Sequence, residues 1–341
     1  MVMDGLHAGQ AFPEVIGAKG RKKIEGASAA VIGCGARGSI VAGLLARSGI
    51  GRLRLIDRDV VSPGLQEGDG VVALPEDATA ISRAAASARH VRKITSATQV
   101  EVRDEDLDFQ NIKDLCGGFD VLVDGVDNFQ TRYLLNDYSS AEGIPWVFGA
   151  FRGTSGFSRL IIPGRTPCLR CLLPEPPGPG GIVNAEPFAI IRPAVQAVAA
   201  FQAQQALRVI ADGKMSGKEL QVDALSGESR EEDTTGYPGA DCPCCRKTEF
   251  PWMDGRTAES ITSLCGTGSV QIQPAVRGSR LDLQKLAGRF AEKNVLRCND
   301  YLLQLRINDY ELTVFSNGRA IIKGVEDHGK ARILYSRYIG N

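Results

Sequence analysis

The stretch Ala29 to Asp59, AAVIGCGARGSIVAGLLARSGIGRLRLIDRD, decides how this chain folds. Ala29–Ile32 is a short apolar run suited to a buried parallel strand. Gly33, Gly35 and Gly38 then complete a GxGxxG turn that opens a helical pattern over Ser39–Ser48. The first glycine permits the tight bend, the second lets backbone approach a phosphate or ribose, and the third lets the helix pack closely on the strand. Amides at the head of that helix face an anion, which the helix dipole favours. Arg52–Ile56 follows as a second strand, ending in Asp57 and Asp59. An acidic side chain about 20 residues beyond such a loop can take ribose hydroxyls, and Asp57 holds that place. A plain helix-packing turn could use the same glycines. The strand before, the helix after and the acidic strand end together point instead to a nucleotide.

At 341 residues the chain is long enough for a large core plus a second unit. Lysine plus arginine equals aspartate plus glutamate at 40 each, so net charge gives no reason to expect a nucleic-acid partner or an anionic membrane. No apolar run reaches the roughly 18 residues of a membrane span. Even Ala194–Ala211 is interrupted by Gln196, Gln202, Gln204 and Gln205. The opening MVMDGLHAGQAFPEV lacks a basic region followed by an apolar core, so a cytoplasmic protein is expected.

Outward from the deciding stretch, residues 1–28 read as a lead-in ending in a helix. Beyond Asp59 comes VVSPGLQEGDGVVALPEDA, a loop of the kind that works at a site or moves over it. An alanine-rich helix over Thr79–Ile94, a strand over Thr98–Arg103 and a polar return over Asp104–Cys116 follow. Phe119–Asp124 is a further buried strand, ending in the polar string Asp124, Asp127, Asn128. Ligands of a doubly wound sheet sit outside the carboxyl ends of its strands, so Asp57 and Asp127 are expected to share one crevice. A helix over Arg132–Ala141 and a strand over Pro145–Phe151 come next. Past Gly153 the alternating runs Phe157–Ile162 and Leu220–Leu225 suit antiparallel strands. Between them, LLPEPPGPGGIVNAEPF can form neither helix nor central strand and reads as a crossover. Ile191–Ile210 is a long helix and Gly227–Gly239 a surface loop. From about Ser260 a small module begins, with a hairpin signal at Ser316–Gly318. The expected fold is therefore α/β: a Rossmann-like, doubly wound, mainly parallel sheet continuing into antiparallel strands over residues 1–255, then a small C-terminal α/β module over 260–341.

Nine cysteines include Cys168 and Cys171 in CLRC and Cys242 and Cys245 in CPCC, with Cys244 between the latter. Two such pairs supply four thiolates, which is tetrahedral coordination for a structural zinc ion. Their separation of about 70 residues makes the metal a clasp between distant segments rather than a finger. Unrelated buried cysteines or a redox CxxC are the alternatives. Cys34, Cys116, Cys265 and Cys298 read as small apolar residues.

The order of these pieces (glycine loop, DxD strand end, DGVDN strand end, CLRC, proline-rich crossover, long helix, CPCC) closely resembles the ThiF/MoeB/HesA family, bacterial relatives of ubiquitin-activating enzymes. The resemblance covers roughly residues 10–250, and the last eighty residues look like the extension of some ThiF-type members. It implies a homodimer that binds ATP and Mg²⁺ and adenylates the C-terminal glycine of a ubiquitin-like sulfur carrier protein or peptide. A sulfur donor then captures the acyl adenylate. By resemblance, Gly33, Gly35 and Gly38 border the nucleotide, Asp57 holds ribose with Asp59, Gln66 and Asn128 nearby, Asp127 takes the magnesium ion, and Arg83 stands where the family carries a lysine.

The sequence also departs from the family pattern. An early arginine is replaced by Gly9, and the phosphate-gripping arginine of the loop after Asp59 falls on Glu67, or on Gly68 without a gap. The crossover cysteine of some members falls on Asn184 or Ala185. Arg37, Arg152 and Arg192 are the candidates to replace the missing cations. Two functions follow: a working adenylyltransferase with a rebuilt site, or a catalytically impaired or repurposed member that acts as a binding or scaffold protein. A nicotinamide-dependent dehydrogenase would share the glycine fingerprint but explain neither cysteine pair nor DGVDN.

Overall fold

The computed structural model describes residues 16–61, 81–176, 191–212, 218–234, 241–255, 261–264, 268–273, 281–300 and 302–339. The chain divides into two compact units, Met1–Thr257 and Ala258–Asn341.

The first unit opens with helix α1 (Gly17–Gly26) and strand β1 (Ser28–Ile32), whose five residues are all buried. There follow α2 (Ala36–Arg47), β2 (Arg52–Ile56), α3 (Arg83–Ile94), β3 (Gln99–Arg103), α4 (Ile112–Cys116), β4 (Val121–Asp124), α5 (Phe129–Glu142) and β5 (Trp146–Arg152). After these come β6 (Ser155–Ile161), α6 (Leu169–Leu172), the long α7 (Arg192–Ala211), β7 (Lys218–Asp223) and β8 (Ser229–Asp233). Among the described residues the sheet order is β3-β2-β1-β4-β5-β6-β7-β8. The first five strands pair in parallel and the last three antiparallel. Strand order reverses between β1 and β4, which makes their carboxyl ends the crevice where such sheets bind ligands. One apolar cluster packs Val41, Leu45, Val91 and Ala203 on one face of the sheet, and another packs Ile112, Tyr133, Tyr138 and Trp146 on the other. Burial on both faces explains why β1 and β4 are continuous apolar runs rather than alternating ones.

Two boundaries differ from the sequence reading in an informative way. Helix α2 begins at Ala36, with Gly35 as its N-cap, so Gly38 lies inside the first turn rather than ahead of it. A Cβ on Gly38 would fall 2.9 Å from the Gly33 carbonyl carbon and closer still to its oxygen, so only glycine lets the helix start this near the strand end. Part of the expected Gly227–Gly239 loop is strand β8, SREED, which pairs with β7 although all five residues are exposed. An edge strand open to water carries no apolar alternation to read.

The second unit holds β9 (Ile261–Leu264), β10 (Ser269–Ile272), α8 (Leu283–Ala287), β11 (Val295–Cys298), β12 (Leu302–Ile307), β13 (Tyr310–Phe315), β14 (Ala320–Lys323) and α9 (His328–Tyr338). Its sheet order is β11-β12-β13-β14-β10-β9, and Leu303, Leu305, Leu312, Val314 and Ile322 build its core. The β13–β14 hairpin turns at Gly318, whose φ of +84° a side chain would strain. Among the described residues no helix is long and apolar enough to cross a membrane.

Candidate functional site

The glycine turn leaves β1 with Gly33 at φ +88°, its N–H donating to the Ile56 carbonyl at 2.8 Å. A Cβ on Gly33 would meet the Gly125 carbonyl carbon at 2.6 Å, so the loops after β1 and β4 touch through two glycines. The Gly125 N–H closes this seam on the Ile32 carbonyl at 2.6 Å. Gly35 differs: its φ is −70°, and an added Cβ would have only Arg83 Nη1 nearby, at 3.8 Å. The guanidinium of Arg83, at the first position of α3, therefore reaches back over the glycine loop, where it pairs with Asp59 at 3.3 Å.

The two acids that end β2 play different parts. Asp57 is 7% exposed, and its oxygens accept the Cys34 N–H at 2.6 Å and the Asp59 N–H at 2.7 Å. Burial first, and then the charge of Asp59, push its pKa up to about 6 against the pull of Arg83. Asp57 thus braces the glycine loop from behind. Asp59 is the more accessible carboxylate, with a side chain 31% exposed. Cys34, in the loop, is buried and its thiol pKa is raised, chiefly by desolvation, in keeping with a packing role.

Across the seam, the turn after β4 presents Asp127, which is exposed and makes no hydrogen bond or ion pair with any described residue. Asn128 is the N-cap of α5, its side-chain oxygen accepting the Thr131 N–H at 2.8 Å. Arg37, the first candidate replacement cation, is 3% exposed and points inward, with its guanidinium bonded to Asp124 and to backbone carbonyls. Arg192 is exposed at the head of α7 and does not line the cavity described next. The Arg152 side chain, Gly9, Gln66, Glu67, Gly68, Asn184 and Ala185 lie outside the described residues.

These loops enclose a cavity of about 770 Å³, large enough for a nucleotide with part of a second substrate. Gly33, Gly35, Asp57, Asp59, Arg83, Asp127 and Asn128 all line it, and Gly38 stands just behind, closing the helix onto the loop. Away from the glycine loop the lining gains the apolar side chains of Phe148, Phe151, Phe157 and Leu172, beside the charged Arg159, Glu219 and Glu232. The sequence reading gave no role to Asp124, Arg132, Arg58 or Asp106. Arg132 pairs with Asp124 and Arg58 with Asp106, at 3.1 and 3.2 Å. Asp124 and Arg132 carried a signal, charges at the end of an apolar strand and in the helix after it, whereas Arg58 sits between Asp57 and Asp59 and gave no hint of Asp106.

On the α5 face, the four thiols of Cys168, Cys171, Cys242 and Cys245 gather with their sulfurs all within 4.8 Å of one another. Three contacts measure 3.8, 3.6 and 3.4 Å. Metal–sulfur bonds of about 2.3 Å in a tetrahedron put sulfurs about 3.8 Å apart, so the set fits a metal ion. Cys244 is outside the set: its sulfur accepts from Asn136 at 3.2 Å, while the Asn136 oxygen takes the Leu169 N–H at the head of α6.

The sequence pattern of the ThiF family matches residues 7–244. The chain belongs to the ThiF family. Among relatives of this ThiF-family protein, one from Bacillus subtilis (strain 168) named sulfur carrier protein ThiS adenylyltransferase is 32% identical over 339 residues, covering 99% of this chain and all of that one. A SAMP-activating enzyme E1 of Haloferax volcanii is 32% identical over 233 residues, or 67% of this chain and 84% of its own. Among solved structures, E. coli MccB with ATP superposes with a TM-score of 0.56 at 20% identity, over 68% of this chain and 69% of that one, a likeness of fold.

Proposed function

We propose that this ThiF-family protein binds Mg-ATP in the cavity at the β1/β4 switch point and adenylates the C-terminal carboxylate of a ubiquitin-like sulfur carrier protein or peptide. The observation that carries this reading is the convergence of a glycine loop, the accessible Asp59 with Asp57 behind it, Arg83 and an exposed Asp127 on one cavity that also holds several aromatic side chains. The end-to-end likeness to a ThiS adenylyltransferase supports the substrate class.

In this reading the amides of the glycine loop and the first turn of α2 cradle phosphate, Arg83 neutralises charge over the loop, and Asp59 with Asp57 behind it faces ribose. Magnesium would be held by one or two carboxylates together with phosphate oxygens, and Asp127 suits that part because its exposed carboxylate lines the cavity and makes no hydrogen bond or ion pair with a described residue. The ion supplies charge neutralisation of the phosphates. A carrier carboxylate oxygen attacks the α-phosphorus, the bond to the bridging oxygen breaks, and pyrophosphate leaves with the electron pair. The apolar stretch around Phe148 and Phe157 then excludes water from the acyl adenylate. The four-cysteine cluster holds zinc, clasping α6 to the 241–255 segment. The protein works as a homodimer in the cytoplasm.

The experiment is ATP–pyrophosphate exchange with a carrier ending in Gly-Gly. Exchange that depends on the free C-terminus supports adenylation, and its absence with every carrier of the host organism would sink it. A second reading, binding without turnover, is favoured by Gly9 and Glu67 in place of family cations. It predicts carrier binding with no exchange.

A further inference from the structure

Six hydrogen bonds meet beneath the turn that carries Asp127, all from two guanidiniums. Arg37 donates from Nη1 to the Gly149 carbonyl at 2.6 Å, and from Nη2 to Asp124 Oδ1 at 3.1 Å and the Val126 carbonyl at 3.0 Å. Arg132 donates from Nε to Asp124 Oδ2 at 3.1 Å, and from Nη2 to the Val126 carbonyl at 2.9 Å and the Gly149 carbonyl at 3.0 Å. Both arginines thus bond the same three acceptors. Asp124 also receives the Val126 N–H at 2.9 Å, so the peptide groups on both sides of Val126 are tied. The peptide from Val126 to Asp127 sets the direction in which Asp127 leaves the turn. Since the Asp127 carboxylate makes no hydrogen bond or ion pair with a described residue, the backbone that this clamp holds sets where it stands.

The two arms of the clamp have different origins. Arg132 comes from α5, the helix that the Asp127 turn itself begins, whereas Arg37 comes from the first turn of α2, two residues past Gly35. Arg37 is therefore the member that ties the Asp127 turn to the glycine loop. Without it, Asp124, the Val126 carbonyl and the Gly149 carbonyl each keep a bond from Arg132, so no buried acceptor is orphaned. What disappears is the side-chain tie from α2 to the far side of the turn, at Val126, while the backbone seam from the Gly125 N–H to the Ile32 carbonyl remains.

We propose that Arg37 is a positioning residue for Asp127, fixing the 125–127 turn so that its carboxylate meets the divalent cation that accompanies a nucleotide in the glycine loop. This rests on the reading of the cavity as a Mg-ATP site.

The test is calorimetric titration of ATP into wild type, R37L, R37K, D127N and R37L/D127N at a series of free Mg²⁺ concentrations and in EDTA. R37L is expected to need about tenfold more Mg²⁺ for half of the metal-dependent gain in ATP affinity, the size seen when groups that orient a metal ligand are removed. Affinity in EDTA should stay within about twofold of wild type, since Arg37 borders the cavity but spends its guanidinium on Asp124 and two backbone carbonyls rather than on the nucleotide. R37K should shift the same way, because a single ammonium cannot span two carbonyls and a carboxylate as a guanidinium does. The double variant should match D127N. A wild-type Mg²⁺ dependence in R37L or R37K, an equal loss with and without metal, or additive losses in the double variant would each overturn the proposal. If R37L does not fold, R37K decides. Wild type that gains nothing from Mg²⁺ would overturn the Mg-ATP reading and this inference with it.

Discussion

Substituting alanine at two glycines of the same loop should produce two different proteins. At Gly38 the new methyl would lie 2.9 Å from the Gly33 carbonyl carbon and nearer its oxygen, with Val31 Cγ1 at 3.3 Å on the other side. Ordinary carbon contacts begin near 3.5 Å, so helix α2 and the loop must separate by on the order of 1 Å. Overpacking of this kind costs about 1–3 kcal/mol. For a unit of this size, about 2 kcal/mol lowers Tm by roughly 4–8 °C. A shift of about 1 Å in a loop that holds a reacting group also costs on the order of 100-fold. At Gly35 the methyl meets only Arg83 Nη1, at 3.8 Å, and φ is already −70°, so stability should change by no more than about 0.5 kcal/mol. That methyl nevertheless stands on the cavity side, where a phosphate would approach. G35A should therefore melt like wild type and lose Mg-ATP affinity, whereas G38A should lose both. Thermal melting followed by circular dichroism, with calorimetric titration of Mg-ATP, separates the two. A G38A protein that melts with wild type, or a G35A protein that binds Mg-ATP undiminished, would refute the argument.

Other consequences follow from the same geometry. Asp57 has a folded-state pKa raised to about 6 from 3.8, so the folded protein binds the extra proton between those values and stability falls as pH rises through that window. Urea melts of wild type and D57N from pH 4 to 7 should show wild type losing up to about 3 kcal/mol relative to the variant, and parallel curves would contradict the assignment. Elemental analysis of the purified protein should find about one zinc per chain, and C168S or C242S should lower both zinc content and Tm. A metal-free preparation of unchanged Tm would remove the zinc claim. Replacing Glu67 by arginine should raise Mg-ATP affinity by on the order of tenfold, since a carboxylate beside a triphosphate repels it and an arginine attracts it. An unchanged affinity would show that Glu67 does not face the phosphates.

What the sequence made legible was whatever backbone geometry or short spacing enforces. Gly33, Gly35 and Gly38 announce a turn because other residues fit poorly there, and Arg52–Ile56 appears as a strand with the same bounds in sequence and structure. The two CxxC pairs were readable because three-residue spacing places two sulfurs together. Their meeting across about 70 residues was an inference that the cluster now displays. Long-range polar contacts were not legible. Arg37 read as a candidate replacement cation, because nothing near it in sequence says that Asp124, 87 residues away, will take its charge. Asn128 read as part of the polar string after β4, although its spacing to Thr131 is that of a helix cap. Strand β8 escaped because pairing alone, without burial, holds it in place.

The central claim is that the crevice between the β1 and β4 loops holds Mg-ATP. Titrating Mg-ATP into the wild-type chain and into D127N puts it to the test most directly. The structure predicts one saturable site per wild-type chain, with affinity that falls at least about tenfold in D127N and a melting temperature that does not. No binding heat in the wild type, or equal affinity in the two proteins, would contradict it.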